Sequence, residues 1–257
     1  MASRQPSLLA RALEPFASGL WILFILWTAI VAAVWASGFG ETELRERISN
    51  PGLLGALEFF LATLDAAWIA LGAANIYLAL SAQEGLATAR RWALIVIVGV
   101  AVAAALSERT AFPLGPIHYT SRLGMRIGPV PFGLPLLWFA LVTGARALVF
   151  RCAPRISHAK AAFIAAMLAT FADANLEPIA WKVRAFWIWY PAVTPAPTWP
   201  PVQNSIAWFA ISWAFAFAMR ETRVAAASEG AFPRPALVFL ILNAVFLLTH
   251  AARFLQR

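Results

Sequence analysis

The sequence predicts an all-α, polytopic transmembrane helix bundle of about seven spans, with two long, partly irregular loops on one side. Three observations predict it. The chain is 61% hydrophobic and only 12% charged, where soluble domains carry about 25% charged residues. Seven apolar runs recur along it, separated by polar, arginine-marked segments. Their periodicity is helical throughout, with no strand-like alternation. Residues 1–257 are read as a single integral membrane domain.

The elements follow in order. A short polar start with Arg4, Arg11 and Pro15 leads into a first span at 20–37, which carries Trp21, Trp27 and Trp35. A polar loop follows at 38–52. The second span, 53–80, contains Glu58 and Asp65, and a short turn ends in Arg90 and Arg91. Spans at 92–106, 132–150, 158–173, 205–219 and 236–254 complete the set. A spanning helix needs about 20 apolar residues, so the third, fifth and sixth must include polar positions at their ends. With seven spans, the long connections at 107–131 and after Asp173 emerge on the same side.

The formal charge of +8 and pI near 11 do not argue for nucleic acid. The 18 arginines and 2 lysines lie at segment ends rather than in one patch, where anionic lipid headgroups are the fitting partner. The single cysteine, Cys152, excludes an internal disulfide and a cysteine metal cluster. The first apolar run is followed by GFGETELRER and not by a small-residue cleavage site, so it reads as a span. Basic residues divide almost evenly between the two sides; discounting the long loops favours a cytoplasmic N-terminus. The expected location is a bacterial inner (cytoplasmic) membrane.

Chemistry concentrates between Asp173 and Trp208, where acids, cations, amides and tryptophans crowd together. Asp173 and Glu177 are four residues apart and share a face if the helix continues. Pro178 places them at or near a helix end. One reading neutralises the pair with Lys182 or Arg184. The other makes at least one a desolvated acid that keeps its proton near neutral pH. The run Trp181, Phe186, Trp187, Trp189, Tyr190, Trp199 and Trp208 fits an interfacial aromatic belt. Asn204 and a proline-rich bend exceed what a belt needs, and aromatic faces also attract cations. The loop at 107–131 is broken by glycine and proline and carries Glu108, Arg109, His118, Tyr119, Arg122 and Arg126. It reads as a headgroup-binding surface loop or as a lid over a cavity. Glu58 and Asp65 share a face of span two and call for a partner such as Arg146, Asn243 or His250.

These stretches resemble the carotenoid biosynthesis proteins that include the acyclic-carotenoid 1,2-hydratases and bisanhydrobacterioruberin hydratase. The first motif appears as Glu108, then GPIHYTSRLG at 115–124, Val130–Pro131 and LPLLW at 134–138. The second appears as DANLEP at 173–178, AFWIW at 185–189 and PVQNSIAW at 201–208. The chain departs from the family pattern at several positions. Glu177 stands for aspartate, Ile117 and Ser205 for aromatics, and Ala185 and Ala207 for glycines.

The resemblance implies hydration of the terminal double bond of a linear carotenoid such as lycopene, by a hydratase of the lyase class. A carboxylic acid protonates the alkene, aromatic faces stabilise a tertiary cation, and water adds. Asp173, Glu177 and Glu108 are the catalytic candidates, with Asp173 first. His118, Tyr119, Trp187, Trp189, Asn204 and Trp208 are the substrate-binding candidates. No cofactor is required, and no motif for a metal or redox cofactor is visible. The expected partners are a carotenoid or other polyisoprenoid and membrane lipids.

Two other classes remain open at this point. End-group cyclisation or isomerisation begins with the same protonation. A non-enzymatic transporter or lipid-binding seven-helix protein would share the spans. A retinal-type sensor needs a lysine in the last span, whereas Lys160 and Lys182 lie elsewhere. A transporter typically shows paired repeats, and none is visible.

Overall fold

The computed structural model describes residues 8–189, 201–219 and 233–255. The proline-rich bend, with Tyr190 and Trp199, lies outside them. Eight helices account for nearly all of what is described: α1 (Leu8–Ser37), α2 (Glu41–Arg47), α3 (Pro51–Glu84), α4 (Leu86–Thr110), α5 (Gly133–Cys152), α6 (His158–Lys182), α7 (Val202–Ala218) and α8 (Arg234–Leu255). Six of them are long and apolar enough to cross a membrane. The exception among the long ones, α7, has 17 residues. At 1.5 Å per residue that is about 26 Å, just short of a hydrocarbon core of about 30 Å.

Several boundaries differ from the sequence expectation, each for a local reason. α1 begins at Leu8 rather than near residue 20 and holds Pro15 inside it. Part of the expected loop at 38–52 is the short helix α2, where Glu43 accepts from the Gly40 N–H at 2.9 Å. Asn50 then caps α3 by accepting from the Leu53 N–H at 3.1 Å, with Pro51 in the first turn. The turn expected at 83–91 reduces to Gly85, whose φ of 88° is readily available to glycine. The largest difference is at α6, which continues through Pro178 to Lys182. Proline removes one N–H but does not stop this helix, because its neighbours hold it.

The central element is α5, which is packed by α3, α4, α6 and α8. Gly144 permits the α8 contact, since a Cβ there would stand 2.7 Å from the Phe239 Cβ. α6 buries an alanine face (Ala161, Ala162, Ala165, Ala166, Ala169, Ala172), and small residues let helices approach closely in lipid. Helices on the periphery turn apolar side chains such as Phe59, Leu94 and Phe171 outward, as a hydrocarbon solvent permits.

Four short strands appear where periodicity gave no strand signal: β1 (Ile117–Tyr119), β2 (Arg126–Ile127), β3 (Val130–Pro131) and β4 (Trp187–Trp189). Two or three residues are too few to show an alternation. β1 and β4 pair antiparallel, with Tyr119 opposite Trp187 and Ile117 opposite Trp189. This ladder joins the two long connections at one end of the bundle.

Candidate active site

The site forms where the β1–β4 ladder closes over the ends of α6 and α7. Thr120 ties the first connection to the second: its backbone N–H donates to the Phe186 carbonyl at 3.0 Å, and its hydroxyl donates to the Ala185 carbonyl at 2.6 Å. Gln203 fixes the start of α7 to the same loop by donating to the Ala111 and Pro113 carbonyls at 2.8 and 3.0 Å. β4 is anchored from the other side. Arg184 reaches Asp65 of α3 at 2.7 Å, and Trp35 of α1 donates to the other oxygen of Asp65 at 2.8 Å. Phe186 is fully buried, with its ring 6.0 Å from that of Trp35.

On α6, Asp173 and Glu177 are both buried, one turn apart on a shared face. Glu177 Oε1 accepts two indole N–H groups, from Trp187 at 2.9 Å and Trp189 at 2.7 Å. Asp173 Oδ2 accepts from the Asn204 amide at 3.2 Å. The second oxygen of each carboxyl, Asp173 Oδ1 and Glu177 Oε2, is buried with no partner among the described residues. Buried carboxyl oxygens are normally satisfied, so two orphans one turn apart mark this pair.

A cavity of about 10 Å³ lies between Tyr119, Trp138, Trp187, Asn204 and Trp208, closed by Ile117 and Leu134. That volume admits roughly one water. Asn204 and Trp187 both line it and both hydrogen-bond the carboxyls, so the acids stand directly behind its wall. Trp138 and Trp208 stack with ring centroids 3.5 Å apart. Tyr119 is buried, with its ring edge-on to Trp187. Burial pushes its hydroxyl well above the usual tyrosine value, and the charges of Glu108, Glu177 and Asp173 push it further the same way. All three candidate acids thus act on one phenol.

Seven of the nine candidate residues come together: Asp173, Glu177, Tyr119, Trp187, Trp189, Asn204 and Trp208. Glu108 and His118 form a neighbouring group. Alternation along β1 turns Ile117 and Tyr119 inward and His118 toward the other face. There His118 Nδ1 lies 2.9 Å from Glu108, which also pairs with Arg126 at 3.0 Å.

The expected ion pairs are corrected. Lys182 and Arg184 do not neutralise Glu177: Lys182 lies over the Trp181 ring at 4.8 Å, and Arg184 serves Asp65. Nor do Arg146, Asn243 or His250 partner Glu58 or Asp65, since Glu58 pairs with Arg45 at 2.8 Å and Asp65 with Arg184. Trp138 is not among the candidates read from sequence, because a tryptophan closing an apolar run looks like any core residue. Only its place at the end of LPLLW set it apart.

Residues 62–255, well over half of the chain, match the model of a family described as carotenoid biosynthesis protein. No curated protein and no solved structure matches the chain.

Proposed function

The chain belongs to the carotenoid biosynthesis protein family, and from that premise we propose that it is a membrane hydratase that adds water to the terminal double bond of a linear carotenoid. One observation carries the reading. Two buried carboxyls stand one turn apart on α6, each with an unpartnered oxygen, behind a cavity walled by indoles. Keeping two ionised carboxylates together away from water is costly, so the pair holds at least one proton.

Asp173 is the donor in this reading. Hydrogen bonds to an ionised carboxyl favour the ionised form. Glu177 accepts two such bonds and Asp173 one. The proton of Asp173 passes to the less substituted alkene carbon, and the π electrons form the new C–H bond. A tertiary cation remains, facing Trp138, Trp187 and Trp208, whose π faces attract positive charge. A water held near Asn204 and Tyr119 gives its lone pair to the cation, and its proton returns to the carboxyl pair. Glu108, paired with His118 and Arg126, is the reserve acid. The cavity holds a water and not an isoprene unit, so the stacked Trp138 and Trp208 must part on binding.

The test is expression in a lycopene-producing bacterial host, followed by mass analysis of the pigments. A gain of one water is the expected result. An isomer of unchanged mass would make the protein a cyclase or isomerase, and unaltered pigment would remove the reading for this substrate.

A further inference from the structure

A second polar site lies on a different face of α6 from Asp173 and Glu177. A groove of about 420 Å³ opens between the C-terminal turns of α6 and α8. α6 contributes Pro178, Ile179 and Lys182; α8 contributes Thr249, His250 and Arg253. Two cations line it, and no acid does among the described residues.

The groove is shaped by its neighbours. Pro178 has no N–H to offer the carbonyl one turn back, and beside that loosened turn His250 Nε2 donates to the Asn175 carbonyl at 2.7 Å. Arg253 packs its guanidinium against the end of α1, 2.8 Å from where a Cβ on Gly38 would stand. Its Nε is buried with no hydrogen-bond partner among the described residues. A guanidinium is a fixed fork of donors suited to phosphate, and this one lines the groove with its Nε unpartnered among the described residues. The position fits as well. The C-terminal ends of spanning helices lie at the headgroup level, and further into the bilayer both helices turn apolar side chains outward, Phe171 on α6 and Leu247 on α8.

We propose that this groove binds an anionic phospholipid, with the phosphate held between Arg253 and Lys182 and the acyl chains along the outward faces of α6 and α8. Basic pockets between spanning helices are suited to anionic headgroups. The site is independent of the reaction proposed above.

The experiment is thermal unfolding of the full chain in detergent micelles supplemented with phosphatidylglycerol, with phosphatidylcholine, or with inorganic phosphate. Phosphatidylglycerol is expected to raise the midpoint by about 5 °C over phosphatidylcholine, as a ligand well above its dissociation constant does. Lys182→Gln with Arg253→Gln should remove most of that difference. Lys182 is exposed, so Lys182→Gln alone leaves the fold intact and should remove a clear part of it. Equal shifts from the two lipids, or a phosphatidylglycerol shift that survives in both variants, would overturn the proposal. An equal shift from inorganic phosphate would overturn the lipid assignment.

Discussion

Glu177 accepts the indole N–H of Trp189 at 2.7 Å, and the bond joins the C-terminal part of a spanning helix to a strand 12 residues further on. With Trp187 as second donor, Glu177 is held as an acceptor, while Asp173 one turn away has only the Asn204 amide. The two acids therefore differ in role. Asp173→Asn keeps the shape and removes the transferable proton. Conversion in the pigment assay should fall by about 10²–10⁴-fold or more, the range of general acid catalysis, with the protein still folded in the membrane. Glu177→Gln should cost less. Normal conversion by Asp173→Asn together with loss in Glu177→Gln would reverse the roles.

Arg184 supports the site without lining it. Its pair with Asp65 is almost wholly buried, with 11% and 1% of the side chains exposed. Breaking such a pair leaves an uncompensated buried charge and costs roughly 3–5 kcal/mol. Arg184→Met should lower the unfolding midpoint accordingly, and adding Asp65→Asn should recover much of the loss. Arg45, paired with Glu58, is 65% exposed at its side chain. Arg45→Met should hardly move the midpoint, since exposed pairs contribute little.

The bundle and most residues of the candidate site are legible because lipid imposes long apolar helices and because acids, amides and indoles stand out against that background. Partnerships were not legible. Nothing in sequence spacing says that Arg184 turns back to Asp65, 119 positions away, or that Glu177 takes indoles instead of the cations beside it. Pro178 suggested a helix end, and tertiary contacts carried the helix past it. The strand pair leaves no signal in the sequence because β1 and β4 have three residues each and depend on one another. His118 and Tyr119 are neighbours in one motif, yet the strand sends adjacent side chains to opposite faces.

Topology can be checked directly. The turn at Gly85 joins α3 to α4 at one end of the bundle. The β2–β3 turn at Gly128 follows α4, at the other. Reporter fusions at these two glycines should report opposite sides of the membrane. Finding both on one side would remove a span from between them and undo the arrangement of the site.

Tyr119 gives a pH signature. Its hydroxyl titrates well above 10 in the folded protein, through burial first and the three acids next. A group whose folded value is raised contributes stability that is fully present below the unfolded value, about 10, and lost as the pH climbs toward the folded one. Alkaline unfolding above pH 10 should therefore be shallower in Tyr119→Phe than in the parent. An identical alkaline limb would mean that the phenol is not buried among these acids.

Ala185 offers the most specific test of the ladder. It stands where the resembling family has glycine, and its φ is 51°, in the left-handed region. For a residue with a Cβ this conformation costs about 1–2 kcal/mol. It is held because the Ala185 carbonyl accepts from Thr120 and the next residue bonds back across the turn, the Phe186 N–H donating to the Ala180 carbonyl at 2.6 Å. Glycine adopts the same φ without the clash, though it loses about 0.5–1 kcal/mol more entropy on ordering. The balance favours Ala185→Gly by about 0.5–1 kcal/mol, which should raise the unfolding midpoint by a few degrees at unchanged conversion. Ala185→Val moves the other way, since a β-branched residue tolerates this region least. Should glycine destabilise the protein instead, the turn into β4 is not the left-handed one that places Trp187 and Trp189 over Glu177.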